Sequence, residues 1–126
     1  MARGNVLLVD DEDDVRASIS VALTGAGYEV IEAADGEQAL EAMDSGQKID
    51  VILCDVYMPK VNGLEAVTCF RTSYPSVPVI VMTGKPDDQY ARRLFEQGVS
   101  SYLAKPLEKS SLLAALQRAL KDKPEA

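Results

Sequence analysis

Asp10, Asp11, Asp55, Thr83 and Lys105 are the residues of this chain whose types and placement can do chemistry together. Each stands at the end of a short apolar or strand-like run. Asp10 and Asp11 follow Val6-Leu7-Leu8-Val9, Asp55 follows Val51-Ile52-Leu53-Cys54, Thr83 follows Val79-Ile80-Val81-Met82, and Lys105 follows the run Ser101 to Ala104. Three carboxylates brought close to one another repel and raise one another's pKa. A hard divalent cation resolves that conflict, and oxygen ligands select Mg2+, Ca2+ or Mn2+ over zinc. A few carboxylates, with the other positions left to water or phosphate, match the way Mg2+ is usually held. With such an ion bound, a carboxylate oxygen can attack a phosphoryl group whose charge the ion helps to neutralise. Lys105 can then meet the phosphoryl oxygens as a point charge and Thr83 as a hydrogen-bond donor.

These side chains meet only if the segments between them fold in one particular way. Val15, Ile19, Ala22 and Leu23 recur at helical spacing, and Gly25 and Gly27 stop that helix. Tyr28 to Ala33 reads as a second strand. Asp35 is a candidate N-cap with Gln38 three residues on, as in a capping box, ahead of a helix that turns Ala39, Leu40 and Met43 to one side and ends near Gly46. Leu64, Val67 and Phe70 predict a helix that stops before Pro75. A further helix from about Pro86 to Gln97 is expected to point Ala91, Leu94 and Phe95 inward, with Gly98 as its left-handed cap. The last helix runs from about Lys109 to Leu120 with Leu112, Leu113, Leu116 and Leu120 apolar.

Five strands, each followed by a helix, make βα repeats. Strands that are apolar throughout are covered on both faces, and helical crossovers make the sheet parallel and the connections right-handed. The expected fold is a single α/β domain, a doubly wound five-stranded parallel sheet in the flavodoxin-like order 2-1-3-4-5. In such sheets ligands bind beyond the carboxyl ends of the strands, where the order reverses. That edge is where all five residues lie.

Composition narrows the function classes. The chain has 126 residues, suited to one domain, expected here over residues 4–121 with a polar tail at 122–126. Hydrophobic residues make up 47% and charged residues 26%, which sets disorder aside. A net charge of −7 argues against direct nucleic-acid binding, which needs a basic footprint. No run of 18 apolar residues is present, and no signal-peptide pattern precedes the first strand, so a cytoplasmic protein without membrane attachment is expected. Cys54 and Cys69 read as two reduced thiols in apolar surroundings. Histidine is absent. Any phosphohistidine used by this protein must therefore belong to a partner.

Taken in order, the motifs resemble the receiver domain of two-component response regulators over nearly the whole chain, from about Val6 to Leu120. Val9-Asp10-Asp11-Glu12 is similar to that family's acidic pair. Asp55-Val56-Tyr57-Met58-Pro59 through Asn62-Gly63 is similar to its phosphoacceptor segment. Met82-Thr83-Gly84 matches the hydroxyl position, and Tyr102-Leu103-Ala104-Lys105-Pro106 matches the switch aromatic and the lysine. The resemblance implies that Asp55 is the nucleophile and that Mg2+ is bound by Asp11 and Asp55, by Asp10 through water, and by the backbone carbonyl of Tyr57. It implies that Lys105 pairs with the phosphoryl group, that Thr83 and Tyr102 form the switch, and that the Lys105-Pro106 peptide is cis. Side chains at Tyr57 and Lys85 are expected to tune the phosphate lifetime. The implied partners are a sensor histidine kinase or histidine phosphotransfer protein upstream, and a protein effector or an output domain downstream. A monomer or weak dimer is expected, catalysing only its own modification and slow dephosphorylation and thus not an enzyme with turnover.

Plainer readings exist for each residue alone. Adjacent aspartates can end a strand and cap a helix, a threonine can sit in a turn, and a strand tyrosine can be core packing. A haloacid dehalogenase-like phosphatase also uses an aspartate nucleophile with Mg2+, but it needs a second Asp two residues later, where this chain has Tyr57. Nucleotide-binding glycine loops are absent. Free-standing regulator, or excised receiver of a transcription factor or hybrid kinase, are both compatible with a chain that ends six residues past its last helix.

Overall fold

In the computed structural model, residues 3–58 and 61–121 are described, without the side chains of residues 57, 58, 61 and 62. Five parallel strands, β1 (Asn5–Val9), β2 (Glu29–Ala33), β3 (Val51–Asp55), β4 (Val79–Thr83) and β5 (Ser101–Ala104), alternate with five helices, α1 (Asp13–Gly25), α2 (Gly36–Asp44), α3 (Gly63–Ser73), α4 (Asp88–Glu96) and α5 (Lys109–Lys121). The strand order is β2-β1-β3-β4-β5, the doubly wound order expected from sequence. A two-residue antiparallel pair, Tyr57–Met58 with Val61–Asn62, follows β3.

Alternation along the strands divides the interior in two, because successive side chains leave opposite faces of a pleated sheet. Leu7, Val9, Ile52, Cys54, Val79 and Val81 join Ala39, Met43, Val67, Phe70 and Leu94 on the side of α2, α3 and α4. Val6, Leu8, Val51, Leu53, Ile80 and Met82 join Ile19, Leu23, Leu112 and Leu116 on the side of α1 and α5. Every residue of β3 and β4 is buried. Strands covered on both faces cannot show polar alternation, which explains their uninterrupted Val/Ile/Leu runs.

Local chemistry sets the helix ends. Asp35 accepts from the Gln38 amide at 2.8 Å, and the Gln38 side chain accepts from the Ala34 N–H at 2.8 Å, one residue earlier than a reciprocal capping box requires. Asp87 caps α4 by accepting from the amides of Gln89 and Tyr90. Helix α4 therefore starts at Asp88, two residues later than its apolar pattern predicts. Gly98 adopts φ +94° behind α4, as the left-handed cap expected there.

One packing expectation is overturned. Phe95 is 50% exposed while Leu94 is fully buried. Neighbouring residues on a helix point about 100° apart, and in a nine-residue helix the stripe facing the core is wide enough for Leu94 and the half-buried Ala91 but not for Phe95.

Gly63 opens α3 beside the end of β3 with no room to spare. A Cβ placed there would lie 2.5 Å from the Val56 carbonyl oxygen and 2.6 Å from the Val56 Cβ. Gly63→Ala is expected to lower stability by about 1–3 kcal/mol through overpacking, read from urea unfolding midpoints. Gly25→Ala, where an added Cβ meets nothing within 4 Å, is expected to raise stability by about 0.5 kcal/mol in the same assay.

Candidate functional site

Strand register delivers the site. Val9 pairs with Cys54, so Asp10 and Asp55, the next residues of adjacent strands, come level. Asp55 in turn pairs with Met82, and Thr83 pairs with Ala104. Asp10, Asp55, Thr83 and Lys105 thus climb the carboxyl edge of the sheet in steps of about one residue. Asp10, Asp55 and Thr83 are buried.

Lys105 ties the acidic groups together. Its Nζ donates to Asp10 Oδ2 at 2.7 Å and to Asp55 Oδ2 at 2.8 Å, and lies 3.8 Å from Glu12 Oε1. Burial works against its charge, yet the hydrogen bonds and Coulomb attraction to Asp10 and Asp55 outweigh it and hold the ammonium above the ordinary lysine pKa. The Lys105-Pro106 peptide is cis, as the family resemblance implies.

Asp10 is held from several sides. Its N–H donates to the Ala33 carbonyl at 3.1 Å, and its Oδ1 accepts from the Glu12 amide at 2.9 Å. Its other oxygen, Oδ2, faces Lys105. Asp10, Asp11, Glu12 and Asp55 each offer a carboxylate oxygen, and these four atoms lie within 4.8 Å of one another. This all-oxygen set fits a hard divalent cation and not zinc, and the lysine already bound among the same oxygens marks the place as attractive to positive charge. Glu12 went without a role in the sequence reading, although it is contiguous with the acidic pair. That adjacency was the available signal.

Thr83 accepts at Oγ1 from the Lys85 N–H at 3.0 Å, which leaves the hydroxyl proton to donate elsewhere. Lys85 itself is exposed. The Tyr102 hydroxyl accepts from the Asp87 N–H at 3.2 Å, and its ring packs against the core on the α3/α4 side. Of the Tyr57 expectations, the backbone lies in the short antiparallel pair, while the side chain is outside the described residues, as are Pro59 and Lys60. Cys54 lies directly before Asp55 and is buried, with its thiol donating to the Asp55 carbonyl at 3.4 Å. Burial, and then the nearby Asp55 and Asp10 charges, push that thiol up to about 12, so it stays protonated and inert. Cys69 is half-buried.

An open cleft of about 570 Å3 adjoins the cluster, lined by Glu12, Val15, Ser18, Ile19, Lys105 and Pro106 among others.

A parallel sheet carries, at its switch point, a lysine-bridged carboxylate cluster that could hold a divalent cation. The chain belongs to the response regulator receiver domain family, whose match covers residues 6–117, and it is thus a receiver domain of two-component signalling. It is 35% identical over 120 residues to the DNA-binding transcriptional regulator NtrC of Proteus hauseri, covering 95% of this chain and 25% of that protein. It is 36% identical over 111 residues to the CAI-1 autoinducer sensor kinase/phosphatase CqsS of Vibrio cholerae, covering 86% of this chain and 16% of that protein. Among solved structures, the chemotaxis protein CheY4 of Vibrio cholerae superposes with a TM-score of 0.86 at 36% identity, covering 94% of this chain and 100% of that one. This chain therefore spans about a quarter or less of the first two relatives and the full length of the third. Among the described residues, no helix is long and apolar enough to cross a membrane.

If Lys105 compensates the buried carboxylates, Lys105→Met is expected to lose about 3 kcal/mol of stability in the presence of a chelator, the cost of breaking a buried ion pair. Much of that loss is expected to return in millimolar MgCl2. Equal thermal midpoints for the two proteins in chelator would contradict the assignment.

Proposed function

We propose that this chain is a phosphoacceptor switch in which Asp55 takes one phosphoryl group from a phosphohistidine carried by a partner. The observation that carries the reading is the Lys105 ammonium bridging the buried carboxylates of Asp10 and Asp55 at 2.7 and 2.8 Å. Asp10, Asp11 and Asp55, with the Tyr57 carbonyl, are the groups that would hold Mg2+, and the ion when bound supplies neutralisation of phosphoryl charge. An Asp55 carboxylate oxygen attacks phosphorus in line, the new O–P bond forms as the P–N bond breaks, and the imidazole leaves on the partner. Asp55 is suited to this because its oxygen is fixed by Lys105 and shielded by β3 and β4 from bulk water.

Lys105 then exchanges carboxylate oxygens for phosphoryl oxygens, and Thr83 donates its remaining proton to the new group. Tyr102 must leave the Asp87 amide to turn inward behind Thr83. Moving a two-state population from 1:99 to 99:1 requires about 5.5 kcal/mol. A charge-assisted hydrogen bond contributes about 1.5–3 kcal/mol, but Lys105 contributes only the difference between its old and new partners. Thr83 is therefore the larger source, and the resting chain already samples the active arrangement. The surface that responds is that of α4, β5 and α5.

The upstream partner is a sensor histidine kinase or histidine phosphotransfer protein in the cytoplasm, and the chain works there as a monomer or weak dimer. It modifies itself rather than turning over a substrate. Downstream it acts on a protein effector or an output domain. Tyr57 and Lys85, two residues after Asp55 and Thr83 in sequence, set the lifetime of the phosphoryl group.

With acetyl phosphate and MgCl2, intact-mass measurement is expected to find one phosphoryl group on the wild type and none on Asp55→Asn. Unchanged labelling of that variant would remove the assignment, and sustained turnover of a small phosphate ester would point to a phosphatase instead. Thr83→Ala is expected to accept the phosphoryl group yet to lose most of the phosphorylation-dependent change in hydrogen exchange across β5 and α4.

A further inference from the structure

Arg16 lies on the first turn of α1 and plays no part in the chemistry described above. Its side chain is only 16% exposed, and its guanidinium bonds to three residues, one just past β1, one on β2 and one on its own helix. One terminal nitrogen, Nη1, donates to the backbone carbonyl of Asp10 at 2.6 Å. Nε donates to Glu32 Oε1 on β2 at 3.0 Å. The other terminal nitrogen, Nη2, donates to Asp13 Oδ1 at 2.8 Å. A planar fork with several fixed donors can satisfy such a set, whereas a lysine can supply one directed bond from a mobile ammonium.

The bond to the Asp10 carbonyl matters most. That carbonyl belongs to the peptide plane that joins Asp10 to Asp11. The N–H of Asp10 is already fixed by Ala33 and its Oδ1 by the Glu12 amide. With the carbonyl held as well, rotation of that plane is restrained, and the Asp11 N and Cα from which its side chain departs are held in place. Asp11 is exposed and sits in a bend beyond the strand, so the ladder of the sheet does not orient it. We infer that Arg16 is a positioning residue that sets the Asp10–Asp11 peptide so that the Asp11 carboxylate joins those of Asp10 and Asp55 at the cation position. Asp13 and Glu32 meanwhile balance the guanidinium charge, so it adds little repulsion toward the cation. The inference rests on the metal-dependent phosphoacceptor reading.

Its test compares wild type, Arg16→Gln, Arg16→Lys and Glu32→Gln. Divalent-ion affinity is measured by calorimetry with Mg2+ and by electron paramagnetic resonance with Mn2+, at a temperature where melts in chelator show each protein folded. Arg16→Gln is expected to bind both ions about tenfold more weakly, the scale on which groups behind a metal ligand act. Arg16→Lys, which keeps one donor for the carbonyl, is expected to lose less than Arg16→Gln, and it carries the comparison if the glutamine variant fails to fold. Glu32→Gln leaves the carbonyl bond in place and is expected to stay near the wild-type affinity. Unchanged affinity in a folded Arg16→Gln overturns the inference, and so does an equal loss in Glu32→Gln, which would trace the effect to a general loosening of α1 against β2. A wild type that binds neither ion, and takes no phosphoryl group from acetyl phosphate, overturns the underlying reading as well.

Discussion

Two carboxylates buried at the edge of a sheet and one ammonium set between them are the interaction on which the rest of this structure turns. Removing a carboxylate from water costs several kcal/mol, even after relaxation. Asp10 and Asp55 are tolerated because Lys105 reaches both, and because Asp10 is bonded at nearly every polar atom. The balance is deliberately incomplete. Four carboxylates share the cluster, and the Lys105 ammonium lies within hydrogen-bonding reach of two of them. A cluster with more carboxylates than this one ammonium reaches is one that could hold a cation as well.

The fold serves that balance through strand order. Only because β1 and β3 are neighbours do Asp10 and Asp55 come level, and only because the crossovers run to opposite faces on either side of β1 does the edge open there. The central strands β3 and β4 are buried along their whole length, so Asp55 is placed by a tightly constrained part of the chain. The close approach of Gly63 to Val56 extends that constraint into the turn that follows Asp55. Tyr102 and α4 lie instead toward the β5 edge of the sheet.

The amino-acid sequence makes much of this legible, and the reasons it falls short elsewhere are specific. Strand ends are readable because apolar runs stop abruptly at Asp, Thr or Lys, and their convergence follows from the βα alternation. The N-cap at Asp35 is local and so is visible in four residues. Phe95 misleads because it follows Leu94 in a short helix, and composition cannot say which of two adjacent apolar residues faces the core. Arg16 is silent because an arginine between Val15 and Ala17 looks like a solvated helix residue; its partners, the Asp10 carbonyl and Glu32, are brought to it by tertiary packing alone. Glu12 is intermediate, next to the acidic pair in sequence and joined to it in space by its amide bond to Asp10 Oδ1 and by its carboxylate near Lys105. The segment around Pro59 and Lys60 belongs to the phosphoacceptor motif yet lies outside the described residues.

The pleat of the sheet has a consequence for traffic around the molecule. Asp10 and Asp55 share the parity of Val6, Leu8, Val51 and Leu53, whose side chains pack toward α1 and α5. Thr83 shares the parity of Val79 and Val81, and Tyr102 packs with them toward α3 and α4. The sheet is thus a partition, with the carboxylates on the parity of one side and the hydroxyl and aromatic groups on that of the other. Groups from the two sides can meet only at or just past the ends of the strands, which is where Asp10, Asp55, Thr83 and Lys105 all stand.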